Sequence, residues 1–97
     1  MVKQIAWTER AQADRIAVLS YWNKRNKSTQ YSQKINELLR QSLLLISRHP
    51  FIGRRTDKEN VRVKVLKEYL IFYEITVREI VVLLIWDCRQ NPEDLKI

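Results

Sequence analysis

Three apolar stretches joined by short polar links decide the fold of this chain: VRVKVL at residues 61–66, YLIFYEI at 69–75 and EIVVLLIWD at 79–87. In the first, Val61, Val63 and Val65 alternate with Arg62 and Lys64, which predicts a strand with one apolar and one basic face. The third is apolar without a break from residue 80 to 86, as in a strand covered on both faces. We therefore predict three strands in an antiparallel meander.

The middle stretch should place alternate residues on opposite sides of the sheet. One side would carry Tyr69, Ile71, Tyr73 and Ile75, and the other Leu70, Phe72 and Glu74. Its tyrosines, like Trp86 of the third stretch, are expected in the core rather than on a base-stacking surface.

Two helices are predicted before the meander. The first has Thr8 as its N-cap, and the second is capped by Ser28 or Thr29 and ends near Arg48, because Pro50 disfavours helical angles in the residue before it. Apolar residues recur at helical spacing in both. In the first helix they are Ala13, Ile16, Ala17 and Tyr21, with Val18, Leu19 and Trp22 broadening the apolar side. In the second they are Tyr31, Ile35, Leu38, Leu39, Leu45 and Ile46.

A short opening strand at residues 2–7 completes the order β-α-α-β-β-β. Ninety-seven residues correspond to one domain, spanning 1–97. We predict an α+β fold, with an N-terminal helical hairpin packed on a mainly antiparallel sheet of about four strands.

Charge and composition narrow the function. The net charge is +7, from 18 basic and 11 acidic residues, which favours a polyanion or an acidic protein as partner. The longest apolar run is far short of the ~20 residues that span a bilayer, and no secretion signal opens the chain. The single Cys88 forms no internal disulfide, and no Cys/His set has metal-ligand spacing. We expect a cytoplasmic protein without a cofactor, metal or membrane partner.

The stretches HPFIGRRTDKENVRVKVLKEYLIFYEI and EIVVLLIWDCRQNP, placed after a helical hairpin in a small basic chain, resemble the RelE/ParE superfamily of bacterial toxins. The resemblance covers nearly the whole chain. It implies the toxin of a type II toxin–antitoxin system, held inactive by a cognate antitoxin that wraps around it.

Members of this superfamily have two main activities. RelE-like members cleave mRNA on the ribosome without a metal, and ParE-like members inhibit DNA gyrase. We expect mRNA cleavage, with ribosome and mRNA as partners, and keep gyrase inhibition as the alternative. A third possibility is an inactive or regulatory relative, or a general basic nucleic-acid-binding domain.

Cleavage by the RelE route needs cations that stabilise the phosphorane and groups that move protons. The resemblance assigns these catalytic roles to Arg62, Lys64 and Arg89, displayed together on the open face of the sheet, with Lys64 as the candidate base. Two departures favour the alternative: Leu70 replaces an arginine, and no Tyr or His follows Arg89.

Further cations are candidates for RNA binding, since phosphates attract basic side chains. They are Arg54, Arg55 and Lys67. For either activity, we expect the antitoxin to use an amphipathic helix and an extended acidic segment.

Overall fold

A computed structural model of the chain describes residues 2–96. Its helices are α1 (Glu9–Asn26) and α2 (Gln30–Arg48). Its strands are β1 (Gln4–Trp7), β2 (Arg54–Arg55), β3 (Val61–Leu66), β4 (Tyr69–Ile75) and β5 (Glu79–Asp87). Short 3-10 turns occupy Pro50–Ile52 and Pro92–Asp94.

The strands form one mixed sheet in the order β1-β5-β4-β3-β2. Strand β1 runs parallel to β5, and the other neighbours are antiparallel. The α+β class, the helical hairpin and the three-stranded meander are confirmed. The sheet has five strands rather than about four, because Arg54–Arg55 adds a two-residue strand beside β3.

The helical hairpin covers one face of the sheet, and the main core lies between them. Its fully buried members include Ile46, Ile71, Tyr73, Ile80 and Val82. The core positions predicted for Tyr69, Tyr73 and Trp86 are confirmed, because 2%, 0% and 6% of these residues are exposed.

The start of α1 is fastened to an irregularity in β5. Strand β5 holds one extra residue opposite the Phe72–Tyr73 junction, as in a β-bulge. The Thr8 hydroxyl accepts a hydrogen bond from Ala11 N–H (3.0 Å), as predicted for an N-cap, and donates one to the Leu83 carbonyl (2.8 Å). The Asp14 carboxylate accepts from Ile85 N–H at 3.0 Å. Side chains of α1 and its cap thus bind backbone groups of β5 beyond Val82, the last residue that β1 pairs with.

The predicted apolar faces of the helices are partly wrong. In α1, Ala13, Ile16 and Ala17 are exposed, and the helix meets the sheet through Ala11, which was not predicted, and Val18, which was. In α2, Ile35, Leu39 and Ile46 are buried as predicted. Leu45 is 40% exposed, whereas Leu43 turns inward.

Candidate functional site

The two cations of β3 point to the face that the helices cover. Arg62 pairs with Tyr73 across the β3–β4 ladder, and Lys64 pairs with Ile71. Directly opposite residues of an antiparallel pair project from the same face, and both partners belong to the core beneath the helices. The prediction that Arg62 and Lys64 lie on the open face is therefore wrong. Both remain half-buried rather than enclosed, because β3 lies towards the edge of the sheet.

The Arg62 guanidinium is held by the turn that follows α2. Its Nη1 donates to the carbonyls of Phe51 (3.1 Å) and Gly53 (2.8 Å). Its Cζ also lies 5.0 Å from the centroid of the Phe51 ring, within the range of a cation–π contact. Arg62 therefore ties this turn to the sheet.

Arg89 follows β5 and is held by a neighbouring carboxylate. Its Nε and Nη2 donate to the two oxygens of Asp87, at 2.9 and 2.6 Å. This charged hydrogen bond lowers the pKa of Asp87 and raises the pKa of Arg89 further above its usual range. The guanidinium also lies 4.9 Å from the ring centroid of Tyr21 and 5.5 Å from that of Trp22, both on α1.

The predicted catalytic trio is not gathered at one point. Arg62 lies at the level of Tyr73 and Val82, whereas Arg89 lies beyond Asp87. At ~3.3 Å per residue, the five residues from Val82 to Asp87 alone correspond to ~16 Å along the sheet. Lys64 lies between these two levels, opposite Ile71 and Ile85, so only Arg62 and Arg89 stand at opposite ends.

The candidate RNA-binding residues are likewise divided. Arg55 pairs with Arg62 and so shares its face, whereas Arg54 pairs with Val63 and points the other way. Arg55, Arg62 and Lys64 thus form a short basic row at the β2–β3 edge. Lys67 lies in the β3–β4 turn, at the other end of the strands, with a φ of 55°.

The open face of the sheet is apolar. Phe72, Leu84 and Trp86 form a second buried cluster there, and Leu95 from the C-terminal segment packs against it. The Arg10 guanidinium donates to the Lys96 carbonyl at 2.9 Å and fastens the same segment. The apolar cluster on this face contains none of the predicted catalytic cations.

A groove between the helices and β1 was not anticipated from the sequence. It has a volume of about 410 Å³, and its apolar lining includes Ile5, Trp7, Leu39 and Leu44. At its side, Nε and Nη2 of Arg15 donate to the Asn36 side-chain oxygen at 3.1 and 2.9 Å. The leucines of α2 that the structure leaves exposed were the sequence feature that could have indicated this groove. Such a groove suits the apolar side chains of a partner segment.

Within residues 2–96, no three His, Cys, Asp or Glu side chains are grouped so as to hold a metal ion. Neither α1 nor α2 combines the length and apolar character that crossing a bilayer demands.

Comparison with known proteins identifies the class. Two solved toxin–antitoxin systems share the fold. The chromosomal ParDE system from P. aeruginosa aligns over 89% of this chain and 96% of that chain, with 18% identity and a TM-score of 0.74. The RelBE2 complex from Mycobacterium tuberculosis aligns over 90% and 99%, with 15% identity and a TM-score of 0.60. A sequence search of curated proteins gives no match. The chain therefore shares its fold with chains of these two toxin–antitoxin systems.

The family follows from the sequence itself. The model of the ParE toxin of the type II toxin–antitoxin system parDE matches residues 5–92. The chain belongs to this family and is a toxin of a type II toxin–antitoxin system. The resemblance noted from its motifs is confirmed.

Proposed function

We propose that this toxin acts by binding and inhibiting DNA gyrase, and that it does not cleave mRNA. The observation that carries the proposal concerns the two arginines of the predicted cleavage site. Both have intramolecular partners, and they lie at opposite ends of the sheet. Arg62 is bound by two carbonyls and Arg89 by the Asp87 carboxylate. The membership in the ParE family supports the same choice. A gyrase inhibitor works in the cytoplasm, the compartment that the single cysteine also favours.

The arrangement is poorly suited to RNA cleavage. Attack of a 2′-OH on the adjacent phosphate requires cations around the phosphorane and acid and base groups within hydrogen-bond reach. The hydroxyls of Tyr69 and Tyr73 are engaged by Trp22 and by backbone groups, and burial raises the pKa of both. His49 is exposed at the end of α2.

A supercoiling assay tests the proposal. Purified toxin is added to purified gyrase and relaxed plasmid, with and without the antitoxin. We expect the toxin to block supercoiling in a dose-dependent manner and the antitoxin to restore it. Normal supercoiling at a large molar excess of folded toxin would contradict the proposal.

Ribosome-dependent mRNA cleavage is the second candidate, and one observation favours it. The Lys64 side chain is half-buried beside Arg62 and has no hydrogen-bond or ion-pair partner within residues 2–96. It would serve as the base, with Arg62 and Arg89 as cationic groups. The RNA contacts would come from Arg54, Arg55 and Lys67.

Mapping of mRNA ends in a translating extract separates the two candidates. Under the gyrase proposal, mRNA stays intact on addition of either wild-type toxin or the Lys64→Ala variant. New ends that appear with wild type and disappear with Lys64→Ala would replace gyrase inhibition by cleavage.

We propose further that the antitoxin fills the groove beside β1 with an amphipathic segment. Leu44 and Leu45 provide a matched pair of variants, because they are adjacent in α2 and 41% and 40% exposed, and only Leu44 lines the groove. Leu44→Glu is expected to weaken binding of the cognate antitoxin, and Leu45→Glu to leave it nearly unchanged. Equal affinities for the two variants would refute this site.

A further inference from the structure

One end of the molecule combines basic and aromatic side chains. The C-terminal turn of α1 and the residue that caps it bring Lys24, Arg25 and Lys27. The β3–β4 turn brings Lys67, and it lies beside Arg89 because Cys88 N–H donates to the Glu68 carbonyl at 2.8 Å. We call these five cations, together with Tyr21 and Trp22, the cationic–aromatic end.

The aromatic part of this end is held in place before any partner arrives. The indole N–H of Trp22 donates to the Tyr69 hydroxyl at 2.7 Å, and the Tyr31 ring packs edge-on at 4.6 Å. Tyr21 packs edge-on against Trp22 at 5.0 Å and is 40% exposed. Side chains that are already ordered lose less entropy on binding than mobile ones.

Arg89 is fixed yet still able to bind. Its side chain is 43% exposed. Three of the five N–H donors of its guanidinium are engaged, two by Asp87 and one weakly by the Tyr21 hydroxyl at 3.4 Å. Arg25 lies against the same indole, with its Cζ 5.9 Å from the ring centroid. Trp, Tyr and Arg are the residues that dominate the binding energy of protein interfaces.

Two of the three lysines at this end have backbone angles that favour glycine. Lys27 and Lys67 have φ values of 49° and 55°, in the left-handed region. Glycine adopts such angles without steric cost, whereas a side chain with a Cβ does not. Lysine at both positions adds positive charge to this end at a conformational cost that glycine would avoid.

We propose, on the basis of the proposed function, that the cationic–aromatic end is the surface that binds gyrase, and that it contacts exposed carboxylates of that enzyme. A protein is favoured over nucleic acid because Glu68 and Asp87 lie among the cations. A phosphate backbone presents closely spaced negative charges and would be repelled by these carboxylates. Carboxylates that are spaced apart on a folded protein surface can contact the cations without approaching Glu68 and Asp87.

Binding of toxin variants to immobilised gyrase tests this surface. The variants are Tyr21→Ala and the double variant Arg25→Gln/Lys67→Gly, and the control is Arg78→Gln. Arg78 is an exposed cation in the β4–β5 turn, at the opposite end of the sheet. Lys67→Gly is expected to preserve or raise the melting temperature, because φ at this position suits glycine.

We expect Tyr21→Ala to weaken gyrase binding by about tenfold, as for an interface hot spot. The double variant should lose about fivefold at about 50 mM salt and less at about 200 mM, chiefly through slower association. Arg78→Gln should change the affinity by less than about twofold.

Two results would overturn the proposal. If wild-type toxin inhibits gyrase and both test variants bind as tightly as the control, the surface is elsewhere although the function stands. If wild-type toxin neither binds nor inhibits gyrase, the proposed function fails and the surface proposal fails with it. A DNA-binding measurement on the same variants completes the test. Loss of DNA binding with unchanged gyrase affinity would assign this end to nucleic acid instead.

Discussion

Removal of the Tyr73 hydroxyl tests how the turn after α2 is fastened to the sheet. Tyr73 is fully buried. Its O–H donates to the Pro50 carbonyl at 2.7 Å and accepts from Gly53 N–H at 3.0 Å. Tyr73→Phe keeps the ring and removes both hydrogen bonds, so it measures their contribution with almost no change in packing.

The expected loss is large for so small a change. A buried donor or acceptor left without a partner costs about 1–3 kcal/mol. The Gly53 N–H is buried and has no route to water, whereas the Pro50 carbonyl is half-buried and regains a hydrogen bond to solvent. We therefore expect Tyr73→Phe to lower the free energy of unfolding by about 2–3 kcal/mol, a substantial part of the ~5–15 kcal/mol typical of a domain.

Urea unfolding with Tyr31→Phe as the control checks this value. The Tyr31 hydroxyl has no hydrogen-bond partner within residues 2–96, so its removal should cost less than about 0.5 kcal/mol. The midpoint should fall for Tyr73→Phe while the m-value stays constant. A loss for Tyr73→Phe no larger than that of the control would refute the role assigned to this hydroxyl.

Three further predictions concern the same turn and the two ends of the pH range. A Cβ added at Gly53 would lie 2.6 Å from the Tyr73 hydroxyl oxygen and 2.9 Å from the Val63 carbonyl oxygen. In urea unfolding, Gly53→Ala should therefore be destabilising, and combination with Tyr73→Phe should restore only part of the loss, because the backbone oxygen remains. Hydrogen bonding to Arg89 lowers the pKa of Asp87. The stabilisation of the fold by this hydrogen bond should therefore be complete above the ordinary pKa of an aspartate and be lost as the pH falls through the lowered pKa. Asp87→Asn should flatten the acid side of a plot of melting temperature against pH. Burial raises the pKa of Tyr73, so stability should be lost as the pH rises above ~10, and thermal melts of Tyr73→Phe should show a smaller alkaline decline.

The strands were predictable because their pattern is local. Alternation and short polar links defined β3, β4 and β5 to the residue. Strand β2 was missed because two consecutive arginines carry no periodicity, and only pairing with β3 makes them a strand. The inward side of α1 was also missed, because alanine and other apolar residues occur around much of its surface.

The error about Arg62 and Lys64 has a specific physical cause. Alternation shows that the cations and valines of β3 face opposite ways, but it does not show which way the helices lie. A two-residue link fixes the register of a hairpin. The β3–β4 link therefore shows which residues of β4 share a face with Arg62, and the side of the helices follows only once the tyrosines of β4 are placed in the core. With Leu66 opposite Tyr69, Arg62 must share a face with Tyr73. The contacts of Arg62 and Arg89 with distant segments could not be predicted from the sequence, since no local pattern encodes them.

The separation of the two proposed surfaces constrains how an antitoxin can work. The groove beside β1 is lined by residues such as Ile5, Trp7 and Leu44, and none of the five cations of the cationic–aromatic end is among its lining residues. A partner segment that filled the groove alone would leave Tyr21 and Arg89 accessible to gyrase. Under the two proposals, we expect a second, acidic segment of the antitoxin to reach the cationic–aromatic end, where it would compete with the carboxylates of the target. Under the two proposals, the positive charge of the toxin would bind gyrase and the antitoxin in turn at one surface, and the groove would supply the additional affinity by which the antitoxin displaces gyrase.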